Sequence, residues 1–133
     1  MRSTESPVSE DNRDAGNAVA EYVMVLALAV VIFAGILQLG FALHVRNTLI
    51  DAAAAGARYA SLADRTDDDG VARARGIIAN SVGESYAHNV SVSRTQVGSL
   101  PAVEITVVAP LPVVAMFGPP ESLNVSGHAV VMD

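Results

Sequence analysis

The sequence predicts an α+β protein, with a long N-terminal transmembrane helix continuing into a small domain that holds a second helix and a roughly three-stranded antiparallel sheet. Three observations carry that expectation. The run Tyr22 to Leu43 has no charged side chain, and at 1.5 Å per residue its roughly 22 residues match a hydrocarbon core of about 30 Å. The stretch after it, His44 to Ala63, lacks Pro and is rich in helix formers. In the last third the period changes to two: Val90 and Val92 alternate with Ser91 and Ser93, and Val103, Ile105 and Val107 with Glu104 and Thr106.

Composition narrows the functional classes before any motif is read. A chain of 133 residues, 51% of them hydrophobic, accommodates one membrane segment and one small domain. Its formal net charge is -6 and Lys is absent. A phosphate backbone would be repelled rather than gathered, so nucleic acid is not an expected partner. With no Cys, disulfides, thiolate metal sites and Cys nucleophiles are all excluded.

Met1 to Gly16 is polar and charged without apolar periodicity, and it reads as an unstructured leader, residues 1–16. One helix is expected from Asn17 to Ala63, its transmembrane part at 22–43. A helix apolar on every face needs a larger shell than this chain supplies if it is to be a soluble core, which favours the membrane. A cleaved secretory signal is the competing explanation, with an A-x-A-like site at Ala52-Ala53-Ala54; its n-region would be acidic and its apolar part too long. Past the span, Val45, Leu49, Ala52, Gly56, Tyr59 and Ala63 form a seam at alternating steps of four and three, and Arg46, Asp51 and Arg58 fall off it. Ala52, Gly56 and Ala60 repeat small residues every fourth position, a spacing that lets a neighbouring helix or sheet approach closely and that an alanine-rich helix also produces.

Residues 64–133 make the expected α+β domain. Thr66-Asp67-Asp68-Asp69-Gly70 suits a turn supplying an N-cap carboxylate for a helix over Val71 to Val82, with Gly83 as its stop. The acidic run fails as a calcium loop: with Gly70 at the sixth position, Arg65 falls first and Gly76 twelfth, where a bidentate Glu is needed. Gly98 to Pro101 is a turn signal, and a third strand is expected from Leu123 to Met132. The apolar connection Val113 to Pro120 between the last two strands carries Met116 and Phe117, a candidate partner surface or a loop tucked against the sheet.

No catalytic constellation emerges. His44, His88 and His128 are scattered without metal-ligand spacing, and Gly83-Glu84-Ser85-Tyr86-Ala87 lacks the second Gly of a nucleophile elbow. The expectation is no metal, no cofactor and no enzyme activity. The most telling group is Gly16-Asn17-Ala18-Val19-Ala20-Glu21, because it sets a carboxylate at the edge of hydrocarbon, where it is costly unless partnered. A helical carboxylate favoured by the macrodipole and snorkelling to the interface would produce the same pattern.

That segment resembles the processing site of type IV prepilins, in which a prepilin peptidase cuts after a Gly and a Glu stands fifth in the mature chain. The following Arg46-Asn47-Thr48-Leu49, Ala52-Ala53 and Gly56-Ala57-Arg58-Tyr59-Ala60 are similar to the TadE-like family. The resemblance implies a pilin-like fold, a cut between Gly16 and Asn17, and a role for Glu21 in subunit assembly. It further implies a minor pilin or pseudopilin of the tight-adherence (Flp) pilus, in the cell membrane with a cytoplasmic N-terminus and an extracytoplasmic domain. Its partners would be the membrane, the peptidase, other pilin subunits and the pilus assembly machinery. Two departures stand in the leader: it is acidic, and Asp14-Ala15 occupy the place where Arg or Lys commonly precedes the Gly. Arg2 and Arg13 before the span balance Arg46 and Arg58 after it, so charge alone does not orient the chain. The rival reading is a permanently anchored extracytoplasmic binding or sensing module in which Gly16 is not cut.

Overall fold

The computed structural model describes residues 8–110 and 122–131, with side chains from residue 11 onward. Helix α1 runs from Val8 to Ala60, α2 from Asp67 to Ser81, and a single 3-10 turn follows at Glu84–Tyr86. Strands β1 (Asn89–Val97), β2 (Leu100–Pro110) and β3 (Ser122–Val130) form one antiparallel sheet in the order β1-β2-β3. The α+β expectation is met. The chain divides into two compact units, Met1–Leu37 and Gln38–Asp133.

In the first unit, α1 starts at Val8, so residues 8–16, expected to be unstructured, are helical. Extending an existing helix avoids the cost of nucleation. Asp11 and Asp14 also place negative charge near the positive end of the dipole. At its other end α1 stops at Ala60, short of the expected Ala63, where the Ser61 hydroxyl donates to the Arg58 carbonyl at 2.7 Å.

In the second unit, the last turns of α1 are core. Val45, Leu49, Ala52, Ala53 and Ala57 are fully buried, and Ala60 nearly so, whereas Arg46, Asp51 and Arg58 stay exposed. The buried face is wider than a four-three seam because two neighbours cover it. On one side lies α2: a Cβ added at Gly56 would stand 2.6 Å from the Gly70 carbonyl oxygen and 2.9 Å from the Ala74 Cβ. On the other lies the sheet, where a Cβ at Gly127 would meet the backbone of Ala53 and Ala54, the latter inside van der Waals contact. Ala63 lies outside the helix and is exposed, and Tyr59 is half-buried.

The start of α2 corrects a second expectation. Its N-cap is the Thr66 hydroxyl, which accepts from the Asp69 N–H at 3.2 Å, while the Asp69 carboxylate accepts from the Thr66 N–H at 2.9 Å. This is a capping box, so Asp67, Asp68 and Asp69 form the first helical turn rather than a loop before it. Gly70, read as a turn residue, is buried inside α2 against Gly56 and Ala60. Gly83, with φ of +114°, ends the helical segment as expected.

The sheet follows the alternation closely. Gly98 and Ser99 join β1 to β2, with Val97 opposite Leu100; Gly98 has φ of +64° and Ser99 a negative φ, the pattern of a II′ hairpin turn. Val92, Ile105 and Gly127 stand in one row facing the helices. Ser93, Glu104 and His128 stand in the next row on the other face, with His128 Nε2 3.2 Å from Glu104 Oε2. Val103, Ile105 and Val107 are fully buried, consistent with an antiparallel sheet solvated on one side.

Candidate functional site

The residues singled out at the membrane edge all lie on α1. Gly16, Asn17 and Glu21 are helical and exposed, and nothing among the described residues comes within 4 Å of where a Gly16 Cβ would stand. Glu21 lies one helical turn beyond Asn17 and immediately precedes the apolar run. Along that run the large side chains stay uncovered on all faces; Phe33 is 61% and Leu39 63% exposed. A helix of this length and composition is a candidate membrane span, and its unpacked surface calls for lipid or other helices as solvent.

Past the span, the face of α1 that carries Ala52, Gly56 and Ala60 is occupied within the chain's own second unit, by Gly70 and Ala74 of α2 and by Ile105 of β2. The opposite face, with Asn47, Asp51 and Arg58, is open. The carboxylate at the head of the uncovered apolar run and the small-residue face thus lie on one helix.

Residues 16–58 match the family model of TadE-like proteins. The TadE-like segment therefore begins at the candidate processing glycine, takes in Glu21 and the whole apolar run, and ends at Arg58. It bears out the resemblance seen in the sequence. TadE-like proteins are a pilus-associated structural family, and the match suggests a Tad pilus-associated protein. The single candidate span among the described residues, near the N-terminus, fits a single-pass membrane protein. No curated protein and no solved structure matches the chain significantly.

Two carboxylates of the acidic segment after the TadE-like match, Asp67 and Asp69, are engaged within the fold. Among the described residues no group of three or more His, Asp or Glu side chains is placed to hold a metal ion. Asp69 is spent on the cap, and the Thr66 backbone N–H, then the Thr66 hydroxyl, hold its carboxyl below the ordinary Asp range. Asp67 pairs with Arg94 of β1, the guanidinium Nη2 at 2.7 Å and Nε at 3.1 Å from the two carboxylate oxygens. Sequence reasoning missed this pair, and also the guanidiniums of Arg65 and Arg73 at 4.9 and 5.8 Å from the centre of the Tyr59 ring. The spacing of two Arg residues around a Tyr carries no signal until the α1–α2 turn is folded. Met116 and Phe117 lie outside the described residues.

Proposed function

We propose that the chain is a minor pilin or pseudopilin-like structural component in the assembly of a tight-adherence type IV pilus, and that it performs no catalysis. One observation supports this reading: the TadE-like match spans residues 16–58, a stretch that includes the exposed Glu21 and the uncovered apolar run that follows it. In this reading the helix keeps the subunit in the bilayer until neighbouring pilin helices replace lipid around Val, Leu and Ala side chains. A prepilin peptidase removes residues 1–16. Glu21 then meets the new α-ammonium group at Asn17 of a pilin subunit, a strong pairing because both charges are poorly hydrated there. The N-terminus is cytoplasmic, the second unit is extracytoplasmic, and the apolar connection with Met116 and Phe117 offers a partner surface.

The test is the mature N-terminus, read by mass spectrometry of membrane fractions with and without a co-expressed prepilin peptidase. Because Lys is absent, an amine-reactive tag marks the α-amino group alone and reports the cut directly. A peptidase-dependent start at Asn17 supports the reading; an intact leader in both conditions supports the permanently anchored binding or sensing module. The helical backbone at the Gly16–Asn17 bond and the acidic leader favour that alternative. Separately, Glu21→Ala should leave membrane insertion unchanged and reduce co-purification with other pilus subunits. Unchanged co-purification would remove Glu21 from the assembly contact.

A further inference from the structure

The two edges of the sheet are finished differently. In an antiparallel ladder, alternate residues of an edge strand turn N–H and C=O toward the neighbouring strand, and the residues between turn them outward. The Val131 N–H donates to the Pro101 carbonyl at 2.9 Å. That bond sets the phase of β3: Val125, Gly127 and Ala129 bond to β2, while Asn124, Ser126 and His128 present their backbone groups outward. All three are exposed, and among the described residues nothing hydrogen-bonds to those groups. The strand keeps register with β2 over its 9 residues, so no bulge turns the edge aside, and Ser122–Val130 contains no Pro, Lys, Asp or Glu. Bulges, Pro and charges are what ordinarily keep a sheet edge from recruiting another strand. β1 carries such guards: the Arg75 guanidinium donates to the outward Val90 carbonyl at 3.5 Å, and Arg94, also at an outward position, holds its charge against Asp67. Beside the open edge, the Ala54 backbone of α1 lies against Gly127, and Ile50 stands one turn earlier on the same flank; both side chains are half-buried.

We propose that the free edge of β3 accepts an extended segment of a different pilus subunit as a fourth strand. This rests on the assembly reading above and names the surface and the kind of partner. Outward N–H and C=O groups repeating every second residue are complementary to an extended polypeptide backbone, whose main-chain hydrogen bonds supply the affinity. The side chains of the segment then divide between two faces. Those on the helix side cover Ile50, Ala54 and Leu123 and are apolar; those between them lie beside Asn124, Ser126 and His128 and are polar. A second copy does not meet these demands. α1 and β3 both run toward the end of the domain where Asp67 meets Arg94. Antiparallel pairing of two β3 edges would therefore point the two α1 helices in opposite directions, which two copies inserted alike in one bilayer cannot adopt. Parallel pairing would turn one sheet over and bring its polar row, rather than its apolar one, against Ile50 and Ala54. The β1 edge of another copy is guarded by Arg75 and Arg94.

Ser126→Pro tests the edge, because it removes one outward N–H and leaves every bond between β2 and β3 in place, a change that edge strands tolerate. Gln96→Pro does the same at an outward position of the guarded β1 edge and is the control. In membranes of cells expressing the full-length protein with the other tight-adherence pilus subunits, Ser126→Pro should lower co-purification of those subunits about tenfold, and Gln96→Pro should leave it at the wild-type level. Ser126→Lys keeps the N–H and the ladder but sets a charge on the edge, and it should lower co-purification as well, so a folding defect of the proline variant does not decide the outcome. Residue-resolved hydrogen exchange gives an independent readout. The amides of Asn124, Ser126 and His128 should exchange freely in the purified full chain in detergent micelles and slowly in the co-purified complex, with Val125 and Gly127 slow in both. Undiminished co-purification in both Ser126 variants, or equal exchange of the three amides in the two samples, would overturn the fourth strand while the assembly reading stands. Slow exchange of the three in the purified chain would overturn it too: the edge is then covered by the chain itself or, where dilution abolishes the protection, by a second copy. Wild-type protein that brings down no pilus subunit removes the assembly reading, and the fourth strand with it.

Discussion

At Gly127 the side chain is absent for a reason that fixes how close β3 comes to α1. A methyl group there would overlap the backbone of Ala53 and Ala54, which no rotamer change relieves. Gly127→Ala should therefore destabilise the second unit by about 1–3 kcal/mol, seen as a lower thermal midpoint of the full chain in detergent micelles. Gly76→Ala is the matched control. That glycine is exposed within α2 with nothing near it, so the change should raise stability by about 0.5–1 kcal/mol. Thr66→Ala should cost about 1 kcal/mol by removing the N-cap. The acid limb of stability reports Asp69: its folded pKa is depressed, so its contribution is complete above the unfolded value and is lost as pH falls through the folded one. Wild type should accordingly exceed Asp69→Asn in stability at neutral pH, with the gap closing below the ordinary Asp range. A gap that persists at the lowest pH would exclude the carboxylate as its source. Of these residues, Thr66 and Asp69 were legible as a cap region but assigned the wrong partner. A carboxylate run draws attention to itself as the cap, while the hydroxyl before it accepts from the same N3 amide and leaves the acid free to reach back.

The elements differ in how much their residues reveal. β2 declared itself because Val103, Ile105 and Val107 alternate with polar positions and all three are buried. The pairing Glu104 to His128 could not be foreseen, since the β2–β3 register depends on the length and course of an eleven-residue connection, 111–121. In α1 the seam identified the right side of the helix but missed Ala53 and Ala57, because Ala suits every helix face and only the two covering layers decide which ones are enclosed. Between elements, the Arg94–Asp67 pair joins β1 to the first turn of α2 by a two-point contact with one partner 60% exposed. A double-mutant cycle on Arg94→Ala and Asp67→Ala should return a coupling of no more than about 1 kcal/mol. A larger value would show that the contact organises the α2–sheet packing rather than decorating it.

For the molecule as a whole, insertion and folding are set by different stretches of one chain. Phe33 lies near the middle of the apolar run and touches no core, so Phe33→Arg should impair membrane insertion by about 2.5–3.5 kcal/mol. It should leave the sheet intact, with insertion read by alkaline extraction and folding by near-ultraviolet circular dichroism. The candidate membrane helix was legible from its uncharged length, and the candidate assembly site from Glu21 at its head; the direction of insertion is not written in charge, because the basic residues balance. Since Val45, Leu49, Ala52 and Ala53 are core residues of the second unit and also part of α1, the turns of α1 that follow the apolar run hold the second unit together. A peptidase acting within the core turns, as at Ala52-Ala53-Ala54, would release a fragment without Val45, Leu49 and Ala52, its central support. A cut on the N-terminal side of Val45, by contrast, leaves the core turns of α1 with α2 and the sheet, and the fragment it frees should keep its fold.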